Sequence, residues 1–138
     1  MTETKSLELS PVKKSPEEPR FVISSSYRRW TSRSHVWQPP TDVYETDVAI
    51  VVQMEIAGMQ NAEFTISIDK RMLSISGVRP GISEQGAYYQ IEISTGEFLS
   101  IVELPAAIIH DKIEAVYHDG FLRVILPKAV PSRIDVKK

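Results

Sequence analysis

The sequence predicts an all-β chain, an immunoglobulin-like antiparallel β-sandwich with a disordered N-terminal arm and a short C-terminal extension. Apolar and polar residues alternate with the period of two that a strand imposes, in several short runs between Asp47 and Leu126. Turn-forming Gly, Pro and Asp residues stand between the runs at the regular spacing of a sandwich. No long amphipathic helical pattern and no internal repeat competes with that reading.

The elements follow in order. Residues 47–56 (DVAIVVQMEI) set Val48, Ile50, Val52, Met54 and Ile56 on one face, and Gly58 ends the run. In residues 64–69 (FTISID), Phe64, Ile66 and Ile68 alternate with Thr65, Ser67 and Asp69. A tight link at Lys70-Arg71 leads to residues 72–76 (MLSIS), so the two runs read as a hairpin. Residues 79–87 (RPGISEQGA) hold Pro80, Gly81 and Gly86 and read as a loop. Residues 88–94 (YYQIEIS) and 97–104 (EFLSIVEL) read as further strands joined through Thr95-Gly96, with Pro105 closing the second. A connection with one helical turn occupies residues 106–111. Residues 112–117 and 121–126 then form a hairpin around His118-Asp119-Gly120, where Asp-Gly is a strong turn signal.

The two ends differ from this body. Residues 1–20 mix charge, Ser and Pro, and bury too little apolar area to offset the entropy of ordering them. Residues 21–37 carry Phe21, Ile23, Tyr27, Trp30 and Trp37 among Ser and Arg, without a regular period. Two readings stand for this segment: an adaptable surface for binding other proteins, or a terminal strand or short helix packed on the core. The expected division is therefore an arm at 1–36, a sandwich at 37–128 and an extension at 129–138.

Composition excludes several classes of activity. The chain has 138 residues, a hydrophobic share of 42% and a formal charge of −2, which suits one packed domain and offers no case for nucleic-acid binding. Residues 1–36 hold seven Lys/Arg against four Asp/Glu, and the remainder nine against fourteen, so a mildly basic arm precedes a mildly acidic domain. With no cysteine, disulfides and thiolate chemistry are excluded. The expected location is the cytoplasm, because no signal-peptide pattern or membrane-length apolar run is present. His35, His110 and His118 lack metal-ligand spacing, and neither a nucleophile elbow nor a phosphate-binding Gly loop occurs. Carboxylates such as Glu92 and Glu103 read as exposed strand-face charges. No enzyme, cofactor or metal is expected.

Three patterns are specific. Residues 115–128 (AVYHDGFLRVILPK) resemble the signature of the small heat-shock protein (α-crystallin domain) family, bacterial/archaeal type: an Ala, then Gly-x-Leu-x-Val-x-x-Pro-Lys. The domain entry at residues 37–45 (WQPPTDVYE), followed by Ala57-Gly58, is similar to the family's entry. Arg133-Ile134-Asp135-Val136 is similar to its Ile-x-Ile/Val tail motif. The resemblance spans about residues 37–136. It departs where Ser100 and Ile93 stand in place of arginines that, in the family, are expected to form ion pairs near the dimer interface.

The resemblance implies an ATP-independent holdase chaperone that binds partly unfolded client proteins, with refolding left to ATP-driven chaperones downstream. It implies a homodimer assembling into a larger homo-oligomer. The dimer loop, with Gly81, Ile82 and Gly86, would pair with a partner's edge at Val43 and Tyr44. The tail residues Ile134 and Val136 would dock in a groove lined by Ile66, Ile68 and Val116; the alternative reading makes Ile66 and Ile68 ordinary core. Pro131 is expected to discourage the tail from folding back on its own domain. Clients would meet the arm at Phe21, Ile23, Tyr27, Trp30 and Trp37. The competing reading is a CS-type sandwich adaptor that binds one partner without self-assembly. A sandwich enzyme or carbohydrate-binding module would need exposed aromatics beside convergent carboxylates, and adjacent Tyr88 and Tyr89 point to opposite faces.

Overall fold

A computed structural model of the chain describes residues 4–7, 18–24, 36–81 and 84–134. The described elements are β1 (Thr4–Leu7), β2 (Arg20–Ser24), β3 (Thr41–Glu45), β4 (Ala49–Glu55), β5 (Glu63–Asp69), β6 (Met72–Arg79), β7 (Gly96–Glu103), β8 (Glu114–His118) and β9 (Phe121–Pro127). One 3₁₀ turn, His110–Lys112, precedes β8. The strands form two sheets, ordered β1-β2-β5-β6-β7 and β3-β4-β9-β8. Between these strands all pairings are antiparallel except that of β2 with β5.

Alternation in the sequence becomes burial in the sandwich. Phe64, Ile66 and Ile68 of β5 and Leu73 and Ile75 of β6 face Val52 and Met54 of β4 and Leu122, Val124 and Leu126 of β9 in one continuous core. Each such side chain, fully withdrawn from water, contributes about 1.5–3 kcal/mol. The β8–β9 turn places Asp119 at φ 49° and Gly120 at φ 83°. Positive φ at both central residues is the type I′ geometry that matches strand twist. An added methyl group at Gly120 would lie 3.3 Å from the Ala57 Cβ, so this hairpin also packs against the segment after β4.

Two regions differ from the sequence-based expectation. Residues 88–94 are not a strand: they lie in a long connection between β6 and β7, whose described residues form no strand. Alternation assigns faces, but a strand also requires a neighbouring edge, and none is offered to this segment by the described residues. Within the expected arm, β1 is a strand in residues expected to be disordered, and β2 takes up, over residues 21–24, the terminal-strand reading of residues 21–37. β2 runs parallel to β5 with the register Phe21↔Phe64 and Ile23↔Ile66.

Candidate functional site

The features with functional potential are sheet edges. In sheet β1-β2-β5-β6-β7, the side of β5 away from β6 is taken by β2. Phe21 and Ile23 are buried there, and the Phe21 ring stacks on Phe64 with centroids 5.7 Å apart and planes 12° apart. The contact belongs to a row that crosses the sheet. Phe21 pairs with Phe64, Phe64 with Gly77, Gly77 with Phe98, and Phe98 with Trp37. Because Gly77 has no side chain, the Phe64 and Phe98 rings meet across β6 at 6.0 Å, edge to face. Tyr117 of β8 joins from the other sheet, 5.7 Å from Phe64, and its hydroxyl donates to the Ile56 carbonyl at 2.9 Å.

Ile66 and Ile68 lie on the inner face of β5 and are buried. Ile66 is opposite Ile23, so part of the groove expected for the tail is filled by the chain's own arm. Val116 faces outward and is 48% exposed. The period of two sends Ala115 and Tyr117, its neighbours on β8, to the inner face instead.

A second edge is β3, which pairs with β4 on one side and has no strand on the other among the described residues. Val43 and Tyr44 are exposed along it. The connection from Pro80 to Thr95 borders an open hollow of about 490 Å³, lined by Gly58, Arg79, Gly81, Tyr88, Ile91 and Ile93 among others. Arg79 ties its two ends together: Nε donates to the Ser94 carbonyl at 2.9 Å, Nη1 to the Ala57 carbonyl at 3.4 Å, and the guanidinium lies 4.4 Å over the Trp37 ring. Beyond this root, Tyr89, Ile91 and Ile93 are 99%, 75% and 72% exposed. Gly81 and Gly86 lie in the same connection, and Ile82 lies outside the described residues. Ser100, at the first departure from the family pattern, is buried, with its hydroxyl 3.4 Å from that of Thr41 at the start of β3.

The tail begins at a buried lysine that sequence reasoning left without a role. Lys128 is 2% exposed, and its Nζ donates to Glu45 Oε2 at 2.8 Å and to Ser132 Oγ at 2.8 Å. One cation thus joins the end of β9, the end of β3 and the start of the extension. Contrary to the expectation placed on Pro131, residues 132–134 lie back against the domain. The Ser132 N–H donates to the Asp47 carbonyl at 3.0 Å and the Ile134 N–H to Asp47 Oδ1 at 2.7 Å. Val136 lies outside the described residues, as do Tyr27 and Trp30 of the arm. Trp37, expected as a client contact, is half-buried in the domain. Its N–H donates to the Glu97 carbonyl at 3.1 Å, its carbonyl accepts from Leu99 at 3.0 Å, and its indole N–H reaches the Gly96 carbonyl at 3.2 Å.

Among the described residues no group of three or more His, Asp or Glu could hold a metal ion, and no helix is long and apolar enough to cross a membrane. The site is a set of backbone edges flanked by apolar side chains, chemistry suited to pairing with extended polypeptide.

This two-sheet sandwich, with its Ala…Gly-x-Leu hairpin and long connection between β6 and β7, is of the α-crystallin class. Residues 42–138 match the Hsp20/alpha crystallin family, and the chain belongs to that family. It is 29% identical over 107 residues to a probable 15 kDa heat shock protein of Leptospira interrogans, covering 76% of this chain and 82% of that protein. It is 34% identical over 92 residues to small heat shock protein C2 of Rickettsia felis, covering 65% of this chain and 60% of that one. Its fold is similar to the solved structure of heat shock protein 16.0 from Schizosaccharomyces pombe, with a TM-score of 0.65 and 30% identity over 73% of this chain and 96% of that one.

Proposed function

We propose that the chain is an ATP-independent holdase chaperone that binds partly unfolded proteins and keeps them from aggregating. The observation that carries this reading is the side of β5 away from β6, within a domain of the small heat-shock family: it pairs with an extended apolar-x-apolar segment of the arm, Phe21-Val22-Ile23. Partly unfolded clients present segments of this kind. Backbone pairing does not depend on client sequence, and the flanking apolar side chains add area.

The working unit in this reading is a homodimer that assembles further. The Pro80–Thr95 connection, with Gly81, Ile82 and Gly86, reaches a second copy and pairs there with the β3 edge at Val43 and Tyr44. The exposure of Tyr89, Ile91 and Ile93 supports this, since pairing would cover both these residues and an unpaired edge. The tail residues Ile134 and Val136 of one copy dock beside Ile66 and Ile68 of another. Residues 1–36 act as the client-facing arm, residues 37–128 as the sandwich and residues 129–138 as the linking tail. Client transfer to ATP-driven chaperones in the cytoplasm completes the cycle.

The test is light scattering of a thermolabile enzyme heated without nucleotide, in the presence of the full chain or of residues 37–138. The full chain suppresses scattering at equal mass, and the truncated chain does so far less. Absence of suppression by the full chain contradicts the holdase reading, whereas equal suppression by both moves client binding into the sandwich.

A further inference from the structure

The long connection leaves the sandwich at a hinge. The β6–β7 ladder ends at the pair Arg79↔Gly96, and Gly96 sits at φ 89°. Glycine moves between backbone conformations at little steric cost. The limb that runs back from Gly96 through exposed Ile93 and Ile91 is therefore free to swing unless something holds it.

Two stacked side chains hold it. Nε and Nη2 of Arg79 both donate to the Ser94 carbonyl, on the limb side of the hinge. The Trp37 indole N–H donates to the carbonyl of Gly96 itself at 3.2 Å. The guanidinium lies 4.4 Å over the Trp37 ring, so each of the two side chains steadies the other. Trp37 is bonded through its backbone to Glu97 and Leu99 of β7, and Arg79 Nη1 reaches the Ala57 carbonyl at 3.4 Å. The hinge is thus fastened to the body of the sandwich.

We infer that Arg79, stacked on Trp37, is a positioning residue for dimerisation: it pins the Gly96 hinge, so that the Pro80–Thr95 connection leaves the domain already directed at a second copy. This deepens the proposed dimer and rests on it. A limb held in its binding direction beforehand loses less freedom on pairing, and the saving appears as affinity. Lysine keeps the charge but lacks the planar fork that stacks on a ring and gives two donors to one carbonyl. A two-fold dimer contains two such hinges. A tenfold effect at each becomes about a hundredfold in the dimer dissociation constant.

A second pin can be installed beside the first. A Cβ built on Gly81 lies 3.8 Å from the Thr95 Cβ, and Gly81 is not among the glycines with positive φ. A disulfide spans roughly 3.5–4.5 Å between Cβ atoms. The chain has no cysteine of its own, so Gly81→Cys with Thr95→Cys links the two limbs next to the hinge without Arg79. The background is the full chain carrying Ile134→Ala and Val136→Ala, and the readout is sedimentation velocity across a dilution series.

Arg79→Lys should raise the dimer dissociation constant about a hundredfold, with circular dichroism unchanged. Adding the cysteine pair should restore tight dimers when oxidised and not when reduced. An Arg79→Lys chain that dimerises as tightly as its parent overturns the pin. Weak dimerisation that oxidation fails to restore assigns Arg79 to a direct partner contact or to general stability, and also overturns it. A pair that does not oxidise, read by mass, contradicts the hinge geometry and overturns the pin as well. A parent that stays monomeric throughout, or dimers that persist after deletion of residues 82–87, overturn the loop dimer itself and the pin with it.

Discussion

Gly77→Ala is a single-methyl perturbation of the aromatic row. The added carbon would lie 2.7 Å from Phe98 Cζ and 2.8 Å from the Glu63 carbonyl oxygen. Carbon atoms pack at about 3.5–4.0 Å, so roughly an ångström is missing on the ring side. Neither neighbour gives way easily. The carbonyl is backbone at the start of β5, and Phe98 is fully buried with Trp37 at 5.7 Å and Phe64 at 6.0 Å. Overpacking of this kind costs about 1–3 kcal/mol, and the backbone contact places this case in the upper half. Alanine regains about 0.5–1 kcal/mol through its smaller loss of chain entropy. The expected net loss is about 2 kcal/mol. For a urea dependence of about 2 kcal/mol per molar, the unfolding midpoint falls by about 1 M. Urea unfolding followed by tryptophan fluorescence and by circular dichroism measures it. An unchanged or raised midpoint would refute the claim that Gly77 is the space through which Phe64 and Phe98 meet.

Lys128→Ala removes the cation joining β9, Glu45 and Ser132; a loss of about 2 kcal/mol is expected in thermal or urea unfolding, and an unchanged curve would mean the pair is dispensable. Gly120→Ala forces a residue with a Cβ to φ 83° beside Ala57, so a loss of at least about 1–2 kcal/mol is expected, against little change for Asp119→Gly in the same turn. Deleting residues 82–87 should convert dimers to monomers in light scattering while circular dichroism stays the same; dimers that persist would assign the interface to other edges. Ile134→Ala with Val136→Ala should convert large oligomers to dimers or small species in native mass spectrometry, with the melting of the sandwich little altered.

How much of this was legible in the sequence depends on what each signal encodes. The hairpin at Asp119-Gly120 was readable because its turn chemistry is local, and the strands around Phe64 and Leu122 because their inner faces are apolar throughout. Residues 88–94 misled because their alternation describes side-chain faces and carries no information about a partner edge. The outward direction of Val116 follows from the β8–β9 register, in which Ala115 lies opposite buried Val124, a relation that residue-by-residue hydrophobicity does not convey. The position of β2 was hidden because parallel pairing with a strand forty residues downstream leaves no local pattern. Its one signal was Phe21-x-Ile23, the same spacing as Ile134-x-Val136. Lys128 resembled a surface residue after a proline, and its burial comes from Glu45 and Ser132, which the fold brings to it from either side in sequence.

The holdase claim itself turns on whether the chain holds unfolding client in solution. A thermolabile enzyme is heated with an equal mass of the full chain in nucleotide-free buffer, cleared by centrifugation and run on size exclusion with light scattering. The account predicts a soluble species larger than either protein alone and containing both. Client in the pellet, with the chain eluting as it does alone, would contradict it.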